Sequence, residues 1–61
     1  MITLNLSGPD GNAFALLGYA KTFAKQLDLD YKAIQNDMTS GDYNHLLEVF
    51  EKNFGEFVEL V

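Results

Sequence analysis

The sequence has no cysteine, a single histidine and few basic residues. Without cysteine no disulfide can form, and without a Cys/His cluster there is no candidate structural zinc site. Four basic residues against nine acidic ones give a net charge of −5. This balance argues against nonspecific nucleic-acid binding and against docking on anionic membranes. We therefore expect no metal, no cofactor and no direct contact with nucleic acid.

Long apolar runs are absent as well. No run approaches the roughly 20 residues that are needed to span a bilayer, and the start of the chain lacks the pattern of a signal peptide. Both absences predict a cytoplasmic protein that does not contact a membrane.

Apolar residues are nevertheless abundant for so short a chain. The 61 residues are 48% hydrophobic, with five Phe and three Tyr, and we expect one domain that spans residues 1–61. A domain of this size is rarely stabilised by more than roughly 3–5 kcal/mol. The apolar content indicates either an unusually well filled core or a sticky surface, and the second option points to self-association or a protein partner.

The first residues predict a strand followed by a glycine-rich turn. Ile2, Leu4 and Leu6 alternate with polar residues, which is typical of a half-buried strand. A strand, a glycine turn and a helix start can bind an anion through backbone amides, although Asp10 would repel a phosphate. The turn is thus either purely structural or a site for a nucleotide-like ligand. The candidate ligand-binding residues are Gly8, Asp10, Gly11 and Asn12.

From Ala13 the apolar period changes to that of a helix, which we expect to fade near Asp28. Either Asp10 or Asn12 can cap its start. The apolar face of this helix contains Ala13, Leu16, Leu17, Ala20, Phe23, Ala24 and Leu27.

Phe14 lies off this apolar face, with Lys21 and Lys25 further along the same side and Gly18 between them. Phe14 either packs back on the turn or belongs to a contact surface with the two lysines. An aromatic ring beside a glycine makes a shallow socket of the kind that partners use. Val49, later in the chain, lies off the apolar stripe of the third predicted helix, which is described below. It either widens the buried face of that helix or meets a partner.

Two more helices are predicted. Tyr31 to Met38 indicates a short second helix, which Asp28 or Asp30 can cap, and Gly41 is expected to end it in the left-handed conformation. Ser40 or Asp42 can then cap a third helix that Gly55 ends. Its apolar stripe contains Tyr43, Leu46, Leu47, Phe50 and Phe54.

Candidate catalytic groups are weak. By helical projection His45 faces away from the third helix's stripe, and no Ser, Cys or Asp is placed by sequence to form a relay with it. Acidic pairs such as Glu48 and Glu51 are typical of a solvated face. The sequence therefore favours a protein that is not an enzyme.

Residues 56–61 predict a final strand that is apolar on both faces. Such a strand is either sandwiched between other parts of the fold or covered by a second copy of the chain. The element order β-α-α-α-β indicates an α+β fold in which two terminal strands form a small sheet with a helical layer on one face. We expect antiparallel pairing if the first and third helices run antiparallel. Pairing across a two-fold axis would remove an open edge, which favours a homodimer.

Three segments carry a resemblance to a known group. They are S-G-P-D-G-N-A-F at residues 7–14, S-G-D-Y at residues 40–43 and F-G-E-F-V at residues 54–58. In these segments the chain resembles small proteins of tailed bacteriophages. The resemblance implies a setting, the cytoplasm of a bacterial host, and carries over no activity and no functional residue. Small acidic phage proteins often act by binding and blocking a host protein, including proteins of defence systems.

Two function classes follow. The first is a non-enzymatic protein-binding module that inhibits or modulates a bacterial host protein, with Phe14, Lys21, Lys25 and Val49 as candidate contacts. The alternative is a protein that binds or sequesters a small nucleotide-like molecule at the turn from Ser7 to Asn12.

Overall fold

The computed structural model describes residues 2–61 and has the predicted element order. Strand β1 spans Ile2–Leu4 and is followed by a short 3-10 turn at Pro9–Gly11. The other elements are helix α1 (Ala13–Gln26), helix α2 (Tyr31–Met38), helix α3 (Tyr43–Phe54) and strand β2 (Val58–Leu60). The α+β fold with two terminal strands is thus confirmed.

The two strands are parallel, so the expected antiparallel pairing is wrong. Ile2 pairs with Val58 and Leu4 with Leu60, and backbone bonds extend the pair at both ends, from Ile2 N–H to Phe57 O (2.9 Å) and from Leu6 N–H to Val61 O (2.8 Å). Parallel neighbours need a long crossover connection, usually helical. Three helices between the strands supply that crossover.

Side chains cap all three helices and decide between the predicted alternatives. Asn12 rather than Asp10 accepts from Ala15 N–H at 2.8 Å. Asp30 accepts from Ala33 N–H and Asp42 from His45 N–H. Each cap satisfies a backbone donor that a helix start leaves without an intrahelical partner.

Helix α1 ends close to Asp28 and α3 ends at Gly55, as predicted, but the end of α2 differs from the expectation. Among the described residues, Asp28 has the only positive φ, at 58°, so Gly41 does not take the left-handed conformation. Leu29 N–H donates to Ala24 O at 2.8 Å across the left-handed residue, as in a Schellman motif. Helix α2 instead ends where the hydroxyls of Thr39 and Ser40 donate to its last carbonyls, those of Gln35 and Asp37.

The core lies between the inner face of the sheet and the three helices. Its aromatic centre consists of Phe23, Phe50 and Phe54, with edge-to-face ring pairs at centroid distances of 5.1–6.4 Å. The buried apolar residues are Leu4, Leu16, Ala20, Ala24, Ile34, Met38, Leu46, Val49, Phe50, Phe54 and Val58.

The buried face of α3 is rotated relative to the predicted stripe. Val49 is only 4% exposed, whereas Tyr43 is 40% exposed and Leu47 is partly buried. Of the two roles that the sequence leaves open for Val49, the structure supports the wider buried face. Val49 is therefore not available to a partner, which corrects its place among the candidate contacts.

Candidate functional site

An apolar pocket of about 120 Å³ opens where the strands begin and α1 ends. Phe54, which is fully buried, and Phe23 connect it to the aromatic centre of the core. Three half-exposed side chains line its mouth: Ile2 at 46%, Leu27 at 38% and Phe57 at 47%. Gln26 is the one polar residue among the lining residues. The pocket therefore has the character of a socket for one aliphatic or aromatic side chain.

Local structure explains why these apolar groups stay open to solvent. Helix α1 stops at Gln26, so Leu27 continues the apolar face of the helix beyond its last turn. Phe57 is held before β2 by a bond from its N–H to Phe54 O (2.9 Å). Ile2 is the first residue of β1. Each residue thus lies at or next to the end of an element, where the rest of residues 2–61 covers it only in part.

Sequence reasoning missed this pocket. It assigned Leu27 to the buried face of α1 and Ile2 to the buried face of the first strand. Periodicity shows which residues share a face, but it does not show where a neighbouring element ends. The available signal was the apolar character of both faces of the last strand, which suggested a cover for Phe57 and Val61.

The outer face of α1 carries the predicted set of exposed residues. Phe14 is 88% exposed, Lys21 and Lys25 are exposed, and a methyl group added at Gly18 would meet no atom within 4 Å apart from its chain neighbours and the backbone of its own helix. Positions 14, 18, 21 and 25 fall within about 60° of one another at 100° per residue. The structure thus aligns these four residues on one side of the helix, as the sequence predicts.

The groups of the glycine turn are used inside the chain. Gly8 N–H donates to Asn5 O at 3.1 Å and Gly11 N–H to Gly8 O at 3.0 Å. The Asn12 side chain caps α1 and also donates to Pro9 O. These bonds describe a structural connection, and ligand binding at the turn stays a prediction without an observation that favours it.

The remaining candidate of the turn, Asp10, has a partner on α1. Its carboxylate accepts a hydrogen bond of 2.9 Å from the hydroxyl of Tyr19. Three effects raise the pKa of Tyr19 above its ordinary value. The largest is this hydrogen bond, the second is repulsion between the Asp10 carboxylate and a Tyr19 phenolate, and the smallest is desolvation. The 3-10 turn is thereby tied to the middle of α1.

Titration of tyrosine tests this contact. Tyr19 should deprotonate at higher pH than an ordinary phenol, and Asp10→Asn should bring its pKa back toward the ordinary value. Because the folded-state pKa is raised, the stability from this bond is present below the ordinary phenol pKa and is lost as pH rises through the raised value. Near-ultraviolet absorbance, with Tyr19→Phe to assign the signal, measures this. A Tyr19 signal that Asp10→Asn leaves in place would contradict the assignment.

His45 has partners that the sequence did not predict. Its Nε2 lies 2.9 Å from Asp37 O, 3.1 Å from Asp37 Oδ1 and 3.1 Å from Ser40 Oγ. Asp37 and Ser40 thus approach this ring, although they are not placed to form a relay with it. All three contacts fall on one nitrogen, whereas a catalytic relay places the carboxylate and the hydroxyl on opposite ring nitrogens. The cluster instead joins the end of α2 to the first turn of α3.

Acidic residues lie next in the chain to residues that line the apolar pocket. Asp28 follows Leu27, Glu56 precedes Phe57, and Glu59 lies two residues further along; all three are exposed. None of the four lysines is among the pocket-lining residues. Lys25 lies about 200° around the helix from the direction of Leu27 at 100° per residue. The surroundings of the pocket are thus more acidic than the outer face of α1.

Within the described part of the chain, no group of three His, Asp or Glu side chains is arranged to hold a metal ion. No helix among residues 2–61 is both long and apolar enough to cross a membrane. Comparison of the chain with protein-family models, with curated proteins and with solved structures finds no match.

Proposed function

We propose that this chain is a non-enzymatic protein-binding module that engages its partner through the apolar pocket. The observation that carries the proposal is the group of three half-exposed side chains, Ile2, Leu27 and Phe57, around one pocket that is continuous with the core. Scattered apolar residues on a surface are ordinary, whereas clustered ones mark interaction sites. A pocket whose walls are fixed by packed neighbours suits an anchor side chain of a partner.

The resemblance to small phage proteins supports a bacterial host as the setting of the partner. In that setting the binding module acts as an inhibitor or modulator of a host protein, because a chain of this size influences a larger enzyme most simply by covering part of its surface. The one histidine supports a non-enzymatic role, since its Nε2 joins two helices rather than facing the pocket.

A second copy of the chain is the alternative partner, bound at the pocket or at the outer face of the sheet. Phe57 and Val61 are both about half exposed in the single chain, which is consistent with the homodimer that the sequence predicts. The charge of −5 on each copy opposes pairing of two like surfaces. We therefore favour a different protein as the partner, and molar mass measured by light scattering distinguishes the two.

Two matched substitutions test the pocket. Phe57→Glu places a charge at the pocket mouth, whereas Phe14→Glu makes the same chemical change on the outer face of α1. Tagged versions of both and of the unchanged chain are used to recover a host protein, which is then purified and titrated against each. We expect Phe57→Glu to weaken binding about 30-fold or more, which corresponds to the roughly 2 kcal/mol of an interface hot spot.

Phe14→Glu is expected to bind within about twofold of the unchanged chain. Far-ultraviolet circular dichroism establishes that both variants are folded. If Phe14→Glu loses the partner while Phe57→Glu keeps it, the contact surface is the outer face of α1 and the pocket proposal is wrong.

A further inference from the structure

The apolar pocket alone is too small to hold a protein partner. Full burial of one aliphatic or aromatic side chain contributes less free energy than association loses in translational and rotational freedom. The three side chains at the mouth are in addition already about half buried, so the gain from covering them is smaller still. Contacts outside the pocket must therefore supply part of the affinity, and the charges next in the chain to its lining residues indicate their chemistry.

Three carboxylates lie close to the pocket mouth along the chain. Asp28 and Glu56 are each adjacent in sequence to a lining residue, one at the end of α1 and the other just before β2, and Glu59 is exposed on β2. Asp28 is held in place by its left-handed conformation in the Schellman motif. Two separate segments that line the pocket thus each carry an exposed carboxylate next to a lining residue.

We propose that the partner contributes a short segment with one large apolar side chain in the pocket and Lys or Arg residues on both sides of that anchor. The inference rests on the proposed function and specifies its partner. Charge complementarity supports it: basic residues at the rim attract these carboxylates and speed association. A second copy would set acidic surfaces against each other, and a nucleic acid would bring phosphates to carboxylates.

Selection from a random peptide library tests the segment directly. The purified, unchanged chain is immobilised and panned against displayed 12-residue peptides, with Phe57→Glu as the counter-selection. We expect the enriched peptides to share an aromatic or aliphatic residue flanked by two or more Lys or Arg. Synthetic copies of these peptides should bind more weakly as the salt concentration rises, because screening reduces the attraction between exposed charges.

A matched pair of charge reversals separates local from global electrostatics. Glu56→Lys and Glu48→Lys change the net charge equally, but Glu48 lies on α3 away from the lining residues. We expect Glu56→Lys to weaken peptide binding about tenfold and Glu48→Lys to weaken it less than twofold. Equal losses from both variants would show that only the net charge matters and would overturn the proposed rim contacts.

The remaining outcomes distinguish this inference from the proposed function. Enriched peptides that depend on Phe57 but lack basic residues would overturn the inference and leave the pocket as the binding site. Peptides that bind the Phe57→Glu variant with the same affinity as the unchanged chain would overturn the pocket as the binding site. Absence of enrichment would overturn the idea that a short segment suffices. A chain whose light-scattering mass is that of a dimer, and which Phe57→Glu makes monomeric, would identify a second copy as the occupant.

Discussion

Phe50→Ala is expected to leave the chain unfolded at 25 °C. Phe50 has no exposed surface, and its ring packs edge to face against Phe54 at 5.1 Å and Phe23 at 6.4 Å. Truncation of a buried Phe costs about 3–5 kcal/mol because it removes apolar contacts and leaves a cavity. A domain of about 60 residues without disulfide or metal is rarely more stable than roughly 3–5 kcal/mol, so the loss equals the whole stability.

The control is the same substitution at an exposed site. Phe14 is 88% exposed, so Phe14→Ala should change the free energy of unfolding by no more than about 0.5 kcal/mol. Far-ultraviolet circular dichroism and thermal melts compare the two. A cooperative melt for Phe50→Ala within a few degrees of that of Phe14→Ala would show that the aromatic centre of the core is assigned to the wrong residues.

The elements themselves were predictable because each carries a local signal. The apolar period and the capping residues indicated the starts of α1 and α3 to within a few residues. The sequence left two caps open for each helix, and the structure uses Asn12 for α1 and Asp42 for α3. The end of α1 was less predictable. Asp28 takes the left-handed conformation there, which glycine usually supplies and Asp tolerates only at some cost.

The strand direction and the rotation of α3 were not predictable, because both depend on packing between distant segments. A helix with apolar residues at Leu46, Leu47, Val49 and Phe50 can turn either edge of that set toward the core. The structure buries Val49 and leaves Leu47 only partly covered. That choice is made by the shape of the neighbouring helices, which a single sequence pattern does not contain.

The pocket was hidden from sequence reasoning for a related reason. Its residues were recognised as apolar and were assigned to buried faces, as for Leu27 and Ile2. Whether such a residue is covered depends on where the next element stops, and β1 and β2 are only three residues long. The exposed face of α1 was predictable because it needs nothing but helical projection from Phe14 to Lys25.

The same Gly-to-Ala change is expected to have opposite effects at two positions. A Cβ at Gly11 would lie 1.7 Å from Leu6 O and 2.5 Å from Leu6 C, which are backbone atoms that cannot rotate away. Gly11 also accepts a hydrogen bond from the hydroxyl of Tyr43 through its carbonyl oxygen. To relieve the overlap, the turn must move away from β1 or α3, and forced overpacking costs about 1–3 kcal/mol or more.

Gly18→Ala should instead stabilise the fold. Gly18 lies inside α1, and beyond its chain neighbours and the backbone of its own helix its added methyl group would meet nothing within 4 Å. The helix preference of alanine over glycine, about 0.5–1 kcal/mol, is therefore gained without a clash. Since 1 kcal/mol shifts the midpoint of a domain of this size by about 4–8 °C, thermal melts resolve both changes. Shifts of the two variants in the same direction would contradict the close approach of Gly11 to Leu6. Opposite shifts would establish that glycine is needed at position 11 and not at position 18. The tight turn at Gly11 would then be what holds β1 against the helices that form the pocket.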